Sequence, residues 1–125
     1  MRPRLVVDYG LAKRAALAEL RAGHLTRADA CDAQPYLLRA ARFHGEPTET
    51  PCPVCHAVPL TLVRYVYGDE LGRLDGRVTG TAELAEMARR YGEFRVYVVE
   101  VCQGCSWNHL SRSYVLGHGD PPPDR

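Results

Sequence analysis

Four cysteines in two C-x2-C turns are the residues of this 125-residue chain whose types and spacing most clearly predict chemistry. They stand in the segments CPVC and CQGC, and residues 56–101 separate the two turns. The two thiolates of such a turn converge on one ion, so two turns face to face supply four sulfur atoms at about 2.3 Å from a tetrahedral Zn²⁺. We therefore predict a zinc site whose ligands are Cys52, Cys55, Cys102 and Cys105.

This ligand set predicts a structural role for the ion. Four thiolates leave no coordination position open, whereas a catalytic zinc keeps one position for water. The same ligands also permit a rubredoxin-like iron site, and a C-x-x-C redox pair is a further alternative that lacks its usual thioredoxin-like βαβ context. His56 and His109 lie close to the two pairs in sequence, and either could replace a cysteine ligand or hydrogen-bond to a coordinated sulfur.

A fifth cysteine, Cys31, lies far from both pairs in sequence. Free cysteine is most often a small buried hydrophobic residue, and no His or Lys adjoins Cys31 to activate its thiol. We therefore expect a buried, unreactive thiol at this position. Trp107 follows the second pair closely and is expected to shield the metal from solvent.

The segment before the first cysteine pair is predicted to be helical. Asp8 can cap a helix that runs to about Ala22, because apolar residues recur there at helical spacing. Thr26, with Asp29 three positions later, predicts a capping box that opens a short helix over 27–33. A third helix is expected to follow, and then the proline-interrupted stretch EPTETPCP, which cannot be helical.

The third helix is predicted to begin at Pro35 and to end near Gly45, because proline suits the first turn of a helix. Enrichment in β-branched and aromatic residues predicts three strands beyond it. These strands cover residues 59–67, 94–102 and 107–116. A glycine-rich loop and a short helix capped by Thr81 separate the first strand from the others, and the last two strands should form a hairpin with the second cysteine pair at its tip.

These elements predict an α+β fold in a single domain, 1–125. A helical unit over 1–45 is expected to pack on a zinc-ribbon-like region over 50–117, which holds an antiparallel three-stranded sheet with an inserted helix. Residues 118–125, with the sequence HGDPPPDR, are predicted to form a disordered tail.

Arginine and tyrosine side chains along the predicted strands form a candidate basic and aromatic surface suited to stacking and phosphate contact. The residues of this surface are Arg64, Arg95, Tyr97, Arg112 and Tyr114. The alternative is an ordinary solvated face, or burial of the arginines in ion pairs with Glu93 and Glu100.

Composition limits the function classes that the chain could serve. Hydrophobic residues make up 46% and charged residues 25%, which is typical of one soluble globular domain, and the net charge of +1 argues against a globally cationic nucleic-acid or membrane binder. We find no apolar run long enough for a membrane span or a signal peptide, and we expect a cytoplasmic protein. No catalytic motif or small-molecule site is legible, so we expect a protein that is not an enzyme.

Three segments carry a resemblance to a known family: DACDAQPYLLRAARFHGEPTETPCPVC, YVYGDELG and VYVVEVCQGCSWNHLSRSYVLG. Across nearly its whole length the chain resembles an uncharacterised family of small actinobacterial proteins, classed as a domain of unknown function. The resemblance implies a bacterial cytoplasmic protein with a zinc-ribbon-like cysteine arrangement, in which the four cysteines stand where the family has its two pairs. It implies no activity.

These observations favour two functions over a third, an enzyme with an unrecognised site. The first is a non-enzymatic protein in which one structural Zn²⁺ fixes a small sheet and which presents a surface to a protein or RNA partner in the gene-expression machinery. That association is an analogy with zinc ribbons of transcription and ribosome-associated modules, which are similar to this chain only at the cysteine turns. The second is a thiol-based redox or zinc-responsive sensor, in which oxidation ejects the metal.

Overall fold

A computed structural model describes residues 2–118 of the chain. The fold is α+β and is built on one antiparallel sheet, in agreement with the predicted class. In chain order the strands and α-helices are β1 (Arg4–Asp8), α1 (Gly10–Arg21), α2 (Arg27–Ala30), α3 (Pro35–His44), β2 (Glu46–Pro51), β3 (Pro59–Tyr67), β4 (Val78–Thr79), α4 (Thr81–Arg90), β5 (Phe94–Val101) and β6 (Asn108–Leu116), with a 3₁₀ turn over Gly72–Leu74.

The sheet has six strands, and the prediction of three was wrong. The predicted strands are its centre, in the order β6-β5-β3, while β1 extends one edge and β2 and β4 both pair with β3 at the other. Strand β1 has mostly exposed side chains and so lacks the alternating pattern of a half-buried strand. Strand β2 contains Pro47 and Pro51, which tolerate only an edge position because proline cannot donate a ladder hydrogen bond.

Local capping signals place the helices within one to three residues of their predicted bounds. Thr26 accepts a hydrogen bond from the Asp29 backbone N–H at 3.1 Å, as the capping box predicts, although α2 ends at Ala30. The predicted cap of α1, Asp8, is one residue too early, because Tyr9 directly precedes that helix. The predicted cap of α4, Thr81, is one residue too late, because Gly80 directly precedes that helix.

Helices cover both faces of the sheet. Leu84 and Met87 of α4 pack on one face with Val66 of β3. Ala41 of α3 packs with Val63 of β3. Since Val63 and Val66 lie three residues apart on one strand, they point to opposite faces. The sheet is therefore the middle of three layers. A separate hydrophobic cluster lies at its cysteine-bearing end.

That third cluster joins α1 and α2 to the cysteine-bearing end. Trp107 and Leu60 are buried there with Ala30 of α2, and Leu17 of α1 packs against them. The helical unit thus contacts the region around the cysteines directly, as the predicted packing of helices on the sheet requires.

In the described part of the chain, no helix combines the length and the apolar character that a membrane crossing needs. Of the tail predicted over 118–125, only His118 is described; its backbone N–H donates to the Tyr91 carbonyl at 3.1 Å. The rest of that prediction lies outside the described residues.

Candidate metal centre

Each cysteine pair lies in a turn that joins two antiparallel strands of the sheet. The first knuckle, residues 52–58, joins β2 to β3, and the second knuckle, residues 102–107, joins β5 to β6. The backbone N–H of Cys52 donates to the Val58 carbonyl at 3.0 Å, and that of Cys102 donates to the Trp107 carbonyl at 2.8 Å. Two tight hairpins therefore carry the thiols, and the second is the hairpin tip that the sequence predicts.

A left-handed residue follows the second cysteine of each knuckle. His56 has φ of 58° and Ser106 has φ of 74°, and their backbone N–H groups donate to the carbonyls of Cys52 and Cys102 at 3.1 and 3.0 Å. This conformation curls the backbone around the sulfur atoms, so that amides point at them. The Ala57 N–H, for example, lies 3.4 Å from the Cys55 Sγ.

The four predicted ligands converge on one point. Their sulfur atoms all lie within 4.8 Å of one another. The Sγ atoms of Cys52 and Cys105 are 3.7 Å apart, and those of Cys55 and Cys102 are 3.6 Å apart. A tetrahedron with metal–sulfur bonds of about 2.3 Å has edges of about 3.8 Å, so the spacing fits one tetrahedral ion. Each of these two contacts joins one knuckle to the other.

The donor set fits a closed metal site. Soft thiolates in a tetrahedral arrangement are the ligands of structural Zn²⁺ and also of iron. Among the described residues, no histidine or carboxylate joins the four sulfur atoms. His56 is exposed, while the His109 ring stacks on Trp107 with the ring centroids 5.8 Å apart, so neither replaces a cysteine in this structure.

The four thiols differ in proton affinity. Burial raises the pKa of Cys52 and of Cys102, and it raises the pKa of Cys105 to about 11. The backbone N–H groups of Ala57 and Val58 lower the pKa of Cys55 to about 6. At neutral pH, three of the thiols therefore hold protons that a metal ion has to displace.

A buried polar cluster supports the second knuckle. Trp107 is 2% exposed, and its indole N–H donates to the Glu100 Oε2 at 2.9 Å. The Lys13 Nζ of α1 lies 2.8 Å from the same carboxylate oxygen and 2.9 Å from Glu100 Oε1. The indole packs in one cluster with Cys102, so it closes one side of the site to solvent.

Cys31 lies beside the site and is partly exposed, so the expectation of a buried thiol was wrong. Its Sγ lies 3.5 Å from the Cys105 Sγ, across a separation of 74 residues in sequence. Two further hydrogen bonds hold its segment on the second knuckle: Ala33 N–H to the Ser106 carbonyl at 3.0 Å and Asn108 Nδ2 to Asp32 Oδ1 at 2.9 Å. No spacing in the sequence signals this contact, because it depends on how α2 docks.

The structure does not place the five candidate surface residues on one accessible face. Arg64 is only 8% exposed and pairs with Glu46 at 2.9 Å, and Tyr114 is only 5% exposed in the core beneath α4. Arg112 lies over the Tyr114 ring, with 5.4 Å between its guanidinium carbon and the ring centroid.

Arg95 and Tyr97 lie on the opposite face of the sheet from Tyr114. Tyr97 pairs directly with Ser113, whereas Tyr114 pairs with Val96, and neighbouring residues of one strand point to opposite faces. The sheet therefore separates the predicted surface into two parts.

A groove that the sequence analysis missed lies between α3 and β4. It has a volume of about 550 Å³, and Tyr36, Arg39, Phe43 and Arg77 contribute to its lining. Tyr36 is 55% exposed and Phe43 66% exposed. Within residues 2–118, no carboxylate forms an ion pair with Arg39 or Arg77. The i, i+3, i+7 spacing of the three α3 residues was the signal available in the sequence.

Comparison with known proteins supports the resemblance. The sequence profile of a family described as "Family of unknown function (DUF5318)" matches residues 1–125. Uncharacterized protein Rv0049 of Mycobacterium tuberculosis and uncharacterized protein Mb0050 of Mycobacterium bovis are each 50% identical over 119 residues, which cover 94% of this chain and 87% of each relative. No solved structure matches the chain significantly. These matches confirm the expected membership in an uncharacterised actinobacterial family.

Proposed function

We propose that this chain, which belongs to the DUF5318 family of unknown function, is a non-enzymatic structural-zinc protein that acts as an interaction module. The observation that carries the proposal is the convergence of four cysteine sulfur atoms, two from each knuckle, within 4.8 Å of one another. An ion held there fastens the β2–β3 hairpin to the β5–β6 hairpin. The zinc is a structural fastener because four thiolates complete its shell.

The size of the expected stabilisation supports a structural role. Apparent binding free energies of structural zinc are about 10 to 16 kcal/mol, comparable with the whole stability of a domain, about 5 to 15 kcal/mol. Cys52 and Cys102 are both fully buried, so their unpaired thiols would otherwise occupy the interior without a strong polar partner. Metal binding links the two hairpins at their turns, in addition to the pairing of β3 with β5.

The groove of Tyr36, Arg39, Phe43 and Arg77 is the proposed interaction surface. Exposed aromatic rings offer stacking area, and guanidinium groups that form no ion pair within residues 2–118 attract phosphate or carboxylate. The partner is therefore an anionic component of the gene-expression machinery, an RNA strand or an acidic protein segment. The analogy with zinc-ribbon modules of transcription and translation suggests this setting. In this proposal the protein works in the cytoplasm.

Metal analysis of the purified protein tests the structural role. We expect one equivalent of zinc in the wild-type protein and in Cys31→Ser, which leaves the four ligands intact, but well under one equivalent in Cys102→Ser. A wild-type protein that folds fully without any metal would contradict the proposal, and one equivalent of iron would correct the identity of the ion.

Crosslinking in the native host tests the interaction role. We expect RNA, or RNA-polymerase or ribosomal components, to crosslink to the wild-type protein and to be lost from an Arg39→Ala, Arg77→Ala double variant. Arg112→Ala is the matched control, because Arg112 is exposed but lies outside the groove. Equal recovery with all three proteins would exclude the groove.

The contact between Cys31 and Cys105 favours a second candidate function, a thiol-based redox or zinc-responsive sensor. A purely structural site needs four thiols, and the fifth lies 3.5 Å from one of them. Retention of zinc under mild peroxide treatment would favour the structural role, whereas release followed by recovery on reduction would favour the sensor.

A further inference from the structure

We propose that Cys31 and Cys105 are a redox modification site, at which a hydroperoxide converts the two thiols into a reversible disulfide. The inference rests on the redox-responsive candidate function and names the residues that would perform it.

The two sulfur atoms are already in contact. Their separation of 3.5 Å has to close to about 2.05 Å in a disulfide, a movement of about 1.5 Å shared by two side chains. The hydrogen bonds of Asp32 and Ala33 hold the Cys31 segment against the second knuckle. Cys31 directly follows α2, a helix of only four residues, so its side chain can shift without disturbing a long helix.

Cys31 differs from the other four thiols in its place relative to the ion. It is not among the four sulfur atoms that converge, so it stays outside the shell when a metal is bound. Cys52 and Cys102 are fully buried, whereas Cys31 and Cys105 are both partly exposed. A small oxidant therefore reaches the Cys31–Cys105 pair more readily than it reaches the two interior ligands.

The oxidation balances with one peroxide for two thiols. The Cys105 thiol gives up its proton and its sulfur attacks a peroxide oxygen; the O–O bond breaks, a sulfenic acid forms, and the departing hydroxide takes up that proton as one water. The Cys31 sulfur then attacks the sulfenic sulfur; the S–S bond forms, the S–O bond breaks, and hydroxide leaves with the Cys31 proton as the second water. Two electrons leave the two thiols and reduce one H₂O₂ to two H₂O.

The disulfide would remove one ligand from the site. Cys105 in a disulfide no longer offers a thiolate, so three sulfur atoms remain and the shell is open. The Cys105 contact with Cys52 is one of the two sulfur contacts that join the knuckles, and its loss weakens the link between the hairpins. Metal release and loosening of the β2–β3 hairpin follow from the same reaction.

The first knuckle provides the internal comparison. Cys55 is also partly exposed, but its Sγ contacts the Sγ of the buried ligand Cys102, at 3.6 Å. An oxidant that acted by exposure alone would modify both Cys55 and Cys105. An oxidant that acts through the Cys31 contact should link only Cys105.

Peptide mapping after treatment with hydrogen peroxide tests the proposal in the full chain, with metal bound and after its removal by a chelator. Tryptic cleavage places Cys31 in the peptide 28–39 and both Cys102 and Cys105 in the peptide 96–112. We expect these two peptides to be linked under non-reducing conditions, with fragmentation assigning the bond to Cys105. The chain should lose two free thiols and recover them with dithiothreitol.

Cys31→Ser supplies the matched variant. Its reduced form should bind the same amount of metal as the wild type, but under peroxide its Cys105 should pass irreversibly to the sulfinic acid. A disulfide within Cys52–Cys55 or Cys102–Cys105, with Cys31 still free, would overturn the proposal. The metal content of the reduced wild-type protein is measured separately. Absence of metal would refute the structural-zinc function, while peptide mapping would still show whether the Cys31–Cys105 disulfide forms.

Discussion

The two knuckles have nearly the same backbone and very different surroundings. Each has a C-x2-C turn, a left-handed residue after its second cysteine, and amides directed at sulfur. The first knuckle contains the exposed His56 and is joined to the edge strand β2. The second joins the interior strands β5 and β6, with Trp107 on one side and Cys31 on the other. Local sequence therefore sets the arrangement of the two sulfur atoms in each knuckle, and the tertiary environment sets which side chains surround them.

The largest expected effect comes from removing a buried ligand from the second knuckle. Cys102→Ser should abolish stoichiometric zinc binding and lower the melting temperature by more than about 10 °C, because a structural zinc supplies much of the stability of a small domain. Metal analysis and thermal unfolding monitored by circular dichroism measure the two effects. An unchanged metal ratio and melting curve would remove Cys102 from the site. Cys31→Ser is the control, since it removes a thiol that is outside the shell.

The pKa values of the four thiols predict how metal affinity depends on pH. The pKa values of Cys52, Cys102 and Cys105 are raised above 9.0, so all three thiols release a proton when metal binds near pH 7. The apparent affinity should therefore fall by about three log units for each unit that the pH falls.

Below the Cys55 pKa of about 6, that thiol is protonated too, and the slope should steepen towards four. Competition with a chelator at several pH values measures the slope. A slope near one would show that the buried thiols are already ionised in the metal-free protein.

A smaller effect is expected from the polar cluster beside the second knuckle. Glu100→Gln keeps the hydrogen bond to Trp107 but removes the charge that faces Lys13, and it should cost about 2 kcal/mol in the free energy of unfolding. Glu86→Gln is the matched control, since Glu86 pairs with Arg89 on the surface and such pairs contribute about 0 to 1 kcal/mol. Equal changes in urea denaturation of the two variants would show that burial of Glu100 adds nothing.

The smallest expected effect tests whether the two knuckles are equivalent in their backbones. Ser106→Gly and His56→Gly should each stabilise the protein by about 0.5 to 1 kcal/mol, because both residues have φ in the left-handed region that glycine adopts without steric cost. Thermal unfolding of the metal-loaded variants measures this gain. A loss of stability in one variant alone would show that its side chain makes a compensating contact.

Much of the fold follows from short-range patterns in the sequence. Residues 59–67 form a strand with the predicted bounds, and Thr26 caps α2 by the predicted hydrogen bond. These features depend on alternation and on a cap three residues away, which are local interactions. Strands β1 and β2 were missed because edge strands expose their side chains and accept proline, so they carry little of the pattern that marks a central strand.

The sequence by itself determined the four candidate ligands, because a C-x2-C turn already holds two sulfur atoms close together and two turns suffice for one ion. Only the tertiary structure decided that Cys31 contacts Cys105 and that Arg64 and Tyr114 are buried. The physical reason is the distance along the chain. Contacts between residues far apart in sequence depend on how helices dock on the sheet, and side-chain exposure depends on what covers each face. Neither property is encoded in a local spacing of residues.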